Sequence, residues 1–173
     1  MLTLLSIRNF AIVSTLDLEL KSGMTVVSGE TGAGKSIMLD ALGLALGKRA
    51  DADSVKEGAK RAEISAAFDI QSLPEAKSWL EANELESEDI NECILRRTLS
   101  VDGRSRSYIN GHPCPLNRVK ELGELLVDIH GQHEHQRLLK RDFHRTLLDN
   151  FARTNELALE VRKLFTQWQS KQS

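Results

Sequence analysis

The chain has little of what marks a secreted, membrane-spanning or nucleic-acid-coating protein. Its 173 residues hold two cysteines, Cys93 and Cys114, too few and too far apart for a disulfide framework. With no recognisable signal peptide, they point to a reducing cytoplasm. No apolar run approaches the roughly 18 residues that a membrane span needs, so no membrane partner is expected. Charge of one sign is missing too: 23 Lys and Arg against 25 Asp and Glu leave a formal net charge of −2. Contact with nucleic acid would therefore have to come from local patches or from other parts of a larger protein. Aromatic residues make up only 5%, and there is no internal repeat or low-complexity segment. The remaining composition, 40% hydrophobic and 28% charged, suits one ordinary globular domain with a core of its own.

What is present centres on Gly29-Glu30-Thr31-Gly32-Ala33-Gly34-Lys35-Ser36, which spells GxxxxGK[ST]. Met24-Thr25-Val26-Val27-Ser28 before it reads as a short buried strand, and Ile37 to Leu46 after it reads as a helix. Strand, glycine loop and helix in that order make a phosphate-binding loop. Glycines let backbone N–H groups turn inward around an anion, and the helix N-terminus adds partial positive charge. Lys35 would reach the β- and γ-phosphates, and the Ser36 hydroxyl would ligate Mg²⁺. The chain is expected to bind a nucleoside triphosphate.

Around this loop, residues 2–20 read as two strands, with Leu2, Leu4, Ser6 and Arg8 alternating with Thr3, Leu5, Ile7 and Asn9. Gly47 suits a helix C-cap, and residues 48–60 look too charged to bury. Residues 61–70 alternate as a strand, and Pro74 opens an amphipathic helix through about Leu85. Residues 93–101 and 104–110 predict a hairpin turning at Asp102-Gly103. Asn110-Gly111-His112-Pro113 reads as a break, Leu116 to Glu124 as a helix, and Leu125 to Ile129 as a second buried strand. In the last thirty residues Leu147, Phe151, Thr154, Ala158, Val161, Phe165 and Trp168 step by four and three, a heptad seam with only Thr154 out of character. This spacing predicts the opening of a coiled coil about 40 Å long at 1.5 Å per residue. An amphipathic helix packed back on the domain is the alternative.

The loop alone does not define the chemistry. Hydrolysis also needs an acid on a neighbouring strand end and a group that orients water. Leu125-Leu126-Val127-Asp128 mimics the first, which leaves open a self-contained NTPase or kinase that uses Asp128. The run His130-Gly131-Gln132-His133-Glu134-His135-Gln136 invites a zinc reading. It lacks HExxH spacing and a nearby cysteine, and it suits a strand-to-helix loop better. His112 and His144 read as ordinary surface or structural residues. Arg96, Arg97, Arg104 and Arg106 cluster on the expected hairpin, where they could meet phosphates or simply keep it solvated.

Taken together, Leu4 to Val13, Thr25 to Ser36, Tyr108-Ile109-Asn110-Gly111 and Leu126 to Gln136 resemble the N-terminal part of the SMC-like branch of the ABC ATPases, in its bacterial DNA-repair members. The resemblance covers nearly the whole chain. It implies an α/β fold: the N-terminal lobe of an ABC/SMC-type phosphate-loop head, with a mixed sheet containing antiparallel strands. Residues 1–143 would form the lobe and 144–173 the start of the coiled-coil arm. ATP would lie on Gly29, Glu30, Thr31, Gly32, Ala33, Gly34, Lys35 and Ser36, with Arg8, Asn9 and Arg49 nearby. Gln132 would be the Q-loop glutamine, contacting Mg²⁺ with Ser36 and orienting water; Lys35 and Gln132 would be the catalytic pair.

On this map Asp128 becomes the strand residue before the Q-loop. Expected partners are the C-terminal lobe of the same protein, a second head in a homodimer, and DNA held or bridged during recombinational double-strand-break repair. The location would be cytoplasmic, at the nucleoid. No LSGGQ-like signature and no apolar run ending in Asp-Glu occurs in these residues. By itself the chain is expected to bind ATP weakly, hydrolyse little and associate readily. A nucleotide-regulated scaffold without turnover is the rival from another class.

Overall fold

Period-two alternation of apolar and polar residues builds one sheet. The structure, a computed structural model, describes residues 1–28, 34–50, 54–127, 129, 141–152 and 154–172. These fall into two units, Met1–Asp128 and Ile129–Ser173. In the first, β1 (Leu2–Phe10), β2 (Val13–Glu19), β3 (Arg61–Asp69), β4 (Glu92–Ser100), β5 (Ser105–Ile109) and β6 (His112–Cys114) pair antiparallel in the order β2-β1-β3-β4-β5-β6. One face carries Leu5 and Ile7 from β1, Ala62, Ile64, Ala66 and Phe68 from β3, and Cys93, Leu95 and Leu99 from β4, all buried. Each large side chain buried there contributes about 1.5–3 kcal/mol. The Cys93 thiol is pushed up to about 12 by that burial, so it is inert.

Three helices cover this face. α1 (Lys35–Ala45) packs on β3, β4 and β1; α2 (Pro74–Ala82) packs on α3 (Leu116–Leu126), and α3 on β5. The end of α1 is specified by sequence. Gly47 takes φ +95°; its N–H donates to the Leu44 carbonyl, and that of Lys48 to the Gly43 carbonyl, a Schellman closure. A Cβ on Gly47 would lie 2.9 Å from the Lys120 backbone, so the glycine also permits the close approach of α3. The opposite sheet face is polar: Ser6, Ser65, Arg96 and Tyr108 stand in register, as do Arg8, Glu63, Thr98 and Arg106.

Four expectations need correction. Met24 to Ser28 forms no strand; Met24 and Val26 are 94% and 80% exposed, because no described strand offers this backbone a ladder partner. Leu125 and Leu126 are not strand either: Leu126 is buried on the apolar side of α3 with Val119 and Leu122, so the helix runs on through it.

Asn110-Gly111 does not break the chain. Both residues have positive φ (48° and 83°), which gives the turn of a second hairpin into β6. Asn110 pins that turn: its Nδ2 donates to the Leu85 carbonyl at 2.8 Å, and its Oδ1 accepts the Ile94 N–H at 2.7 Å. Finally, the 48–60 stretch is not wholly solvated, since Val55 bridges Phe10.

In the second unit the heptad segment is two helices, α4 (Arg141–Ala152) and α5 (Asn155–Gln172), rather than one. Thr154, the residue out of character in the seam, marks the join. Its N–H and hydroxyl both donate to Asp149, at 2.9 Å to the carbonyl and 3.2 Å to Oδ1, and its own carbonyl accepts the Ala158 N–H. Phe151, Val161, Phe165 and Trp168 are all more than half exposed. Among the described residues no helix is long and apolar enough to cross a membrane.

Candidate nucleotide-binding site

Gly34 sits at the N-cap of α1 with φ +108°, a conformation open to glycine and strained for a residue with a Cβ. Lys35 and Ser36 are the first two helical residues, half-buried and exposed respectively. The first bond of the helix runs from the Met38 N–H to the Gly34 carbonyl. The N–H groups of Lys35, Ser36 and Ile37 therefore have no intrahelical acceptor. The N-cap residue Gly34 offers no side-chain cap, and no acid lies in the first turn. A helix N-terminus with a lysine and a serine is the donor set that a polyphosphate with Mg²⁺ requires, so these residues fit the expected ligand. Behind it, Ala41 to Ala45 are buried against the sheet, which holds the helix end in place. Gly29, Glu30, Thr31, Gly32 and Ala33 lie outside the described residues, as do Asp128, Gln132 and the rest of the 130–136 cluster.

The outlying candidates separate. The Arg8 guanidinium donates to Asp17 Oδ2 at 2.8 Å and to the Leu16 and Ile7 carbonyls, so it fastens the β1–β2 hairpin. The bond from Arg8, then that from Ser6, holds the Asp17 carboxyl below its usual range, and the same pairing raises Arg8. Asn9 instead lines a cavity of about 550 Å³ with Lys56, Glu57, Gly58, Ala59, Lys60 and Arg61. Asn9 and Ala11 both have φ +51°, and this strained turn is held by bonds from Ala11 N–H to the Ser54 carbonyl and from Lys56 N–H to the Asn9 carbonyl, each 2.9 Å. Lys56, Lys60 and Arg61 are thus cations beside Asn9 that sequence reading missed; their signal was the basic run within 48–61. Arg49 is exposed, two residues beyond the Gly47 turn that ends α1. The four hairpin arginines also divide: Arg96, Arg104 and Arg106 reach solvent, while Arg97 is buried on the core face.

Comparisons place this geometry in a class. The fold is that of the SMC ATPase head. The Smc head domain with an extended coiled coil from Pyrococcus furiosus matches with a TM-score of 0.64 at 22% identity, over 94% of this chain and 46% of that one. The recombination mediator protein RecF with ATP matches with a TM-score of 0.54 at 19% identity, over 87% of this chain and 38% of that one. A family model described as an AAA domain covers residues 4–172. The chain belongs to this AAA domain family, and its likeness among curated proteins is to the N-terminal part of DNA repair protein RecN.

That protein from Vibrio cholerae is 51% identical over 168 residues, 97% of this chain and 30% of its own length. The Haemophilus influenzae protein is 49% identical over 174 residues, all of this chain and 31% of its own length. In Bacillus subtilis the figures are 39%, 88% and 26%. The chain thus spans about a third of the relatives it matches.

Proposed function

We propose that this chain is the ATP-binding N-terminal lobe of an SMC-like ATPase head that acts in recombinational repair of DNA double-strand breaks. The observation that carries this reading is the start of α1 at Gly34-Lys35-Ser36, with Gly34 in the left-handed region, anchored by a buried helix and standing at the end of a GxxxxGK[ST] sequence. Lys35 and the first-turn N–H groups would hold the β- and γ-phosphates of ATP, and the Ser36 hydroxyl Mg²⁺. Gly29 to Ala33 would complete the cup. Gln132 would meet Mg²⁺ and orient water; Asn9 would lie beside the nucleotide, with Arg49 approaching it. Arg8 would support the Asn9 turn through its bond to Asp17.

Residues 1–143 would form the lobe and 144–173 open a coiled-coil arm that leads to a C-terminal lobe bearing the signature and Walker B motifs. ATP would drive dimerisation of two heads, coupled to the holding or bridging of DNA in the cytoplasm at the nucleoid. One structure with this fold belongs to work on ATP-driven dimerisation of SMC ATPases, which supports this reading by analogy. In the full-length protein, Lys35→Ala should lower Mg·ATP turnover about a hundredfold, the scale set by removing one preorganised charged donor. Gln132→Ala should slow single-turnover hydrolysis while leaving nucleotide bound. Unchanged turnover in Lys35→Ala would overturn the proposal. A non-hydrolysing scaffold would show no single-turnover hydrolysis at all.

A further inference from the structure

Arg97 is a charge in the wrong place for an antiparallel strand with one wet face. It stands on β4 between Leu95 and Leu99 on the core side, in register with Ile64 of β3 and Ser107 of β5, and it is 3% exposed. It is the one charged residue in the buried set of described residues. Its Nη2 donates to Ser105 Oγ at 2.9 Å, its Nε has no partner, and no described carboxylate pairs with it. A buried guanidinium with no counter-charge is costly, because burial removes hydration that nothing replaces. Burial accordingly lowers its pKa.

The surroundings supply the missing half of the argument. Arg97 lines a cavity of about 360 Å³ with Ser105, Arg106, Ser107, Pro113, Cys114, Pro115 and Leu116. Helix α3 begins at Leu116 on that wall, its N-cap Pro115 offers no side-chain cap, and its first turn holds no acid. The first helical bonds run from the Arg118 and Val119 N–H groups to the Pro115 carbonyl, so those of Leu116 and Asn117 precede them without a helical acceptor. Ser107 Oγ is already spent on the Cys114 carbonyl at 2.8 Å, which leaves the Ser105 hydroxyl, the Arg97 guanidinium and the helix end as donors on this face.

We infer that this cavity is an anion site for a phosphate group, with Arg97 as its buried anchor and Ser105 and the start of α3 as its rim. A guanidinium, a hydroxyl and a helix N-terminus offer more donors than the two oxygens of a carboxylate use, and they suit the oxygens of a phosphate. The site shares no residue with the α1 nucleotide site. The phosphate could belong to a free phosphate compound or to a DNA backbone.

The test titrates inorganic phosphate into the full-length protein carrying Lys35→Ala, which silences the phosphate loop, and reads the affinity by calorimetry. Adding Arg97→Gln should weaken binding at least about tenfold, the scale of a lost charge-assisted bond. Arg106→Gln, on the opposite face of β5, should change it by less than about twofold. Arg104→Gln, on the exposed turn, should change nothing. The sign of the stability effect is a second readout. Without phosphate, Arg97→Gln should melt no lower than its parent; with saturating phosphate, only the parent should gain.

A folded Arg97→Gln protein that binds phosphate as tightly as its parent overturns the inference. If that variant fails to fold, unchanged phosphate affinity in Ser105→Ala overturns it. Short duplex DNA that displaces phosphate only when Arg97 is present identifies the backbone as the source, and no displacement identifies a free phosphate compound; either supports the site.

Discussion

Two stretches of similar apolar character end in opposite environments. Residues 61–69 alternate, pair on both sides with β1 and β4, and bury Ile64 and Phe68 completely. Residues 24–28 are as rich in branched apolar side chains, yet Met24 and Val26 stand almost bare, and Phe151 and Trp168 repeat the contrast on helices. Apolar patterning states that a face needs cover; it does not state where the cover comes from. In β3 the cover lies within 1–128. For 24–28 no described residue supplies it.

Substitutions can break or sharpen this contrast. The largest effect should fall on Phe68→Ala, about 3–5 kcal/mol by chemical denaturation of this chain, since the ring is fully buried. Val26→Ala in the same assay should cost less than about 0.5 kcal/mol, and an equal loss at the two positions would abolish the distinction. Next comes Gly47→Ala, about 1–3 kcal/mol, from a Cβ at 2.9 Å from Lys120 and a residue forced to φ +95°. Gly103→Ala should cost less, because its turn has the same sign of φ but open space around it.

Trp168→Ser should change stability by no more than about 0.5 kcal/mol, while sedimentation should show weaker self-association of the chain. An unchanged association state would mean that the exposed seam holds nothing.

The smallest effect concerns pH. Asp17 has its carboxyl held low by Arg8, so its contribution is complete above the unfolded carboxylate value of about 3.9 and fades as pH falls through the lower folded one. Asp17→Asn should therefore lower the melting temperature slightly at neutral pH and by less at pH 2. An equal difference at both would remove the ion pair from the account.

The legible parts of the fold were those fixed by nearby residues. The β1–β2 pair, the strand at 61–69, the hairpin at Asp102-Gly103 and the Gly47 cap all follow from alternation or from a glycine at a turn. Asn110-Gly111 was misread because its partner strand is three residues long, too short to show a period. Leu125 and Leu126 misled because a three-residue apolar run fits the end of an amphipathic helix as well as a strand. Thr154 was visible as an exception in the seam, but the exception proved to be a helix start.

For the site, Gly34, Lys35 and Ser36 were readable from spacing, since a phosphate loop needs only a helix start and free amides. The cations at Lys56, Lys60 and Arg61 were not, because only the backbone bonds between residues 54–56 and the Asn9–Ala11 turn bring them beside Asn9. Arg97 was hidden among arginines of the same hairpin. Strand parity alone separates it from Arg96 and Arg106, and parity depends on which face is covered.

The central claim is that the start of α1 receives a triphosphate. Amide hydrogen exchange of residues 34–38 in the full-length protein, with and without saturating Mg·ATP, tests it directly. The account predicts strong slowing of exchange at Lys35, Ser36 and Ile37 on adding Mg·ATP, and its loss in Lys35→Ala. Unchanged exchange at those amides, with nucleotide bound and protection appearing elsewhere, would contradict it.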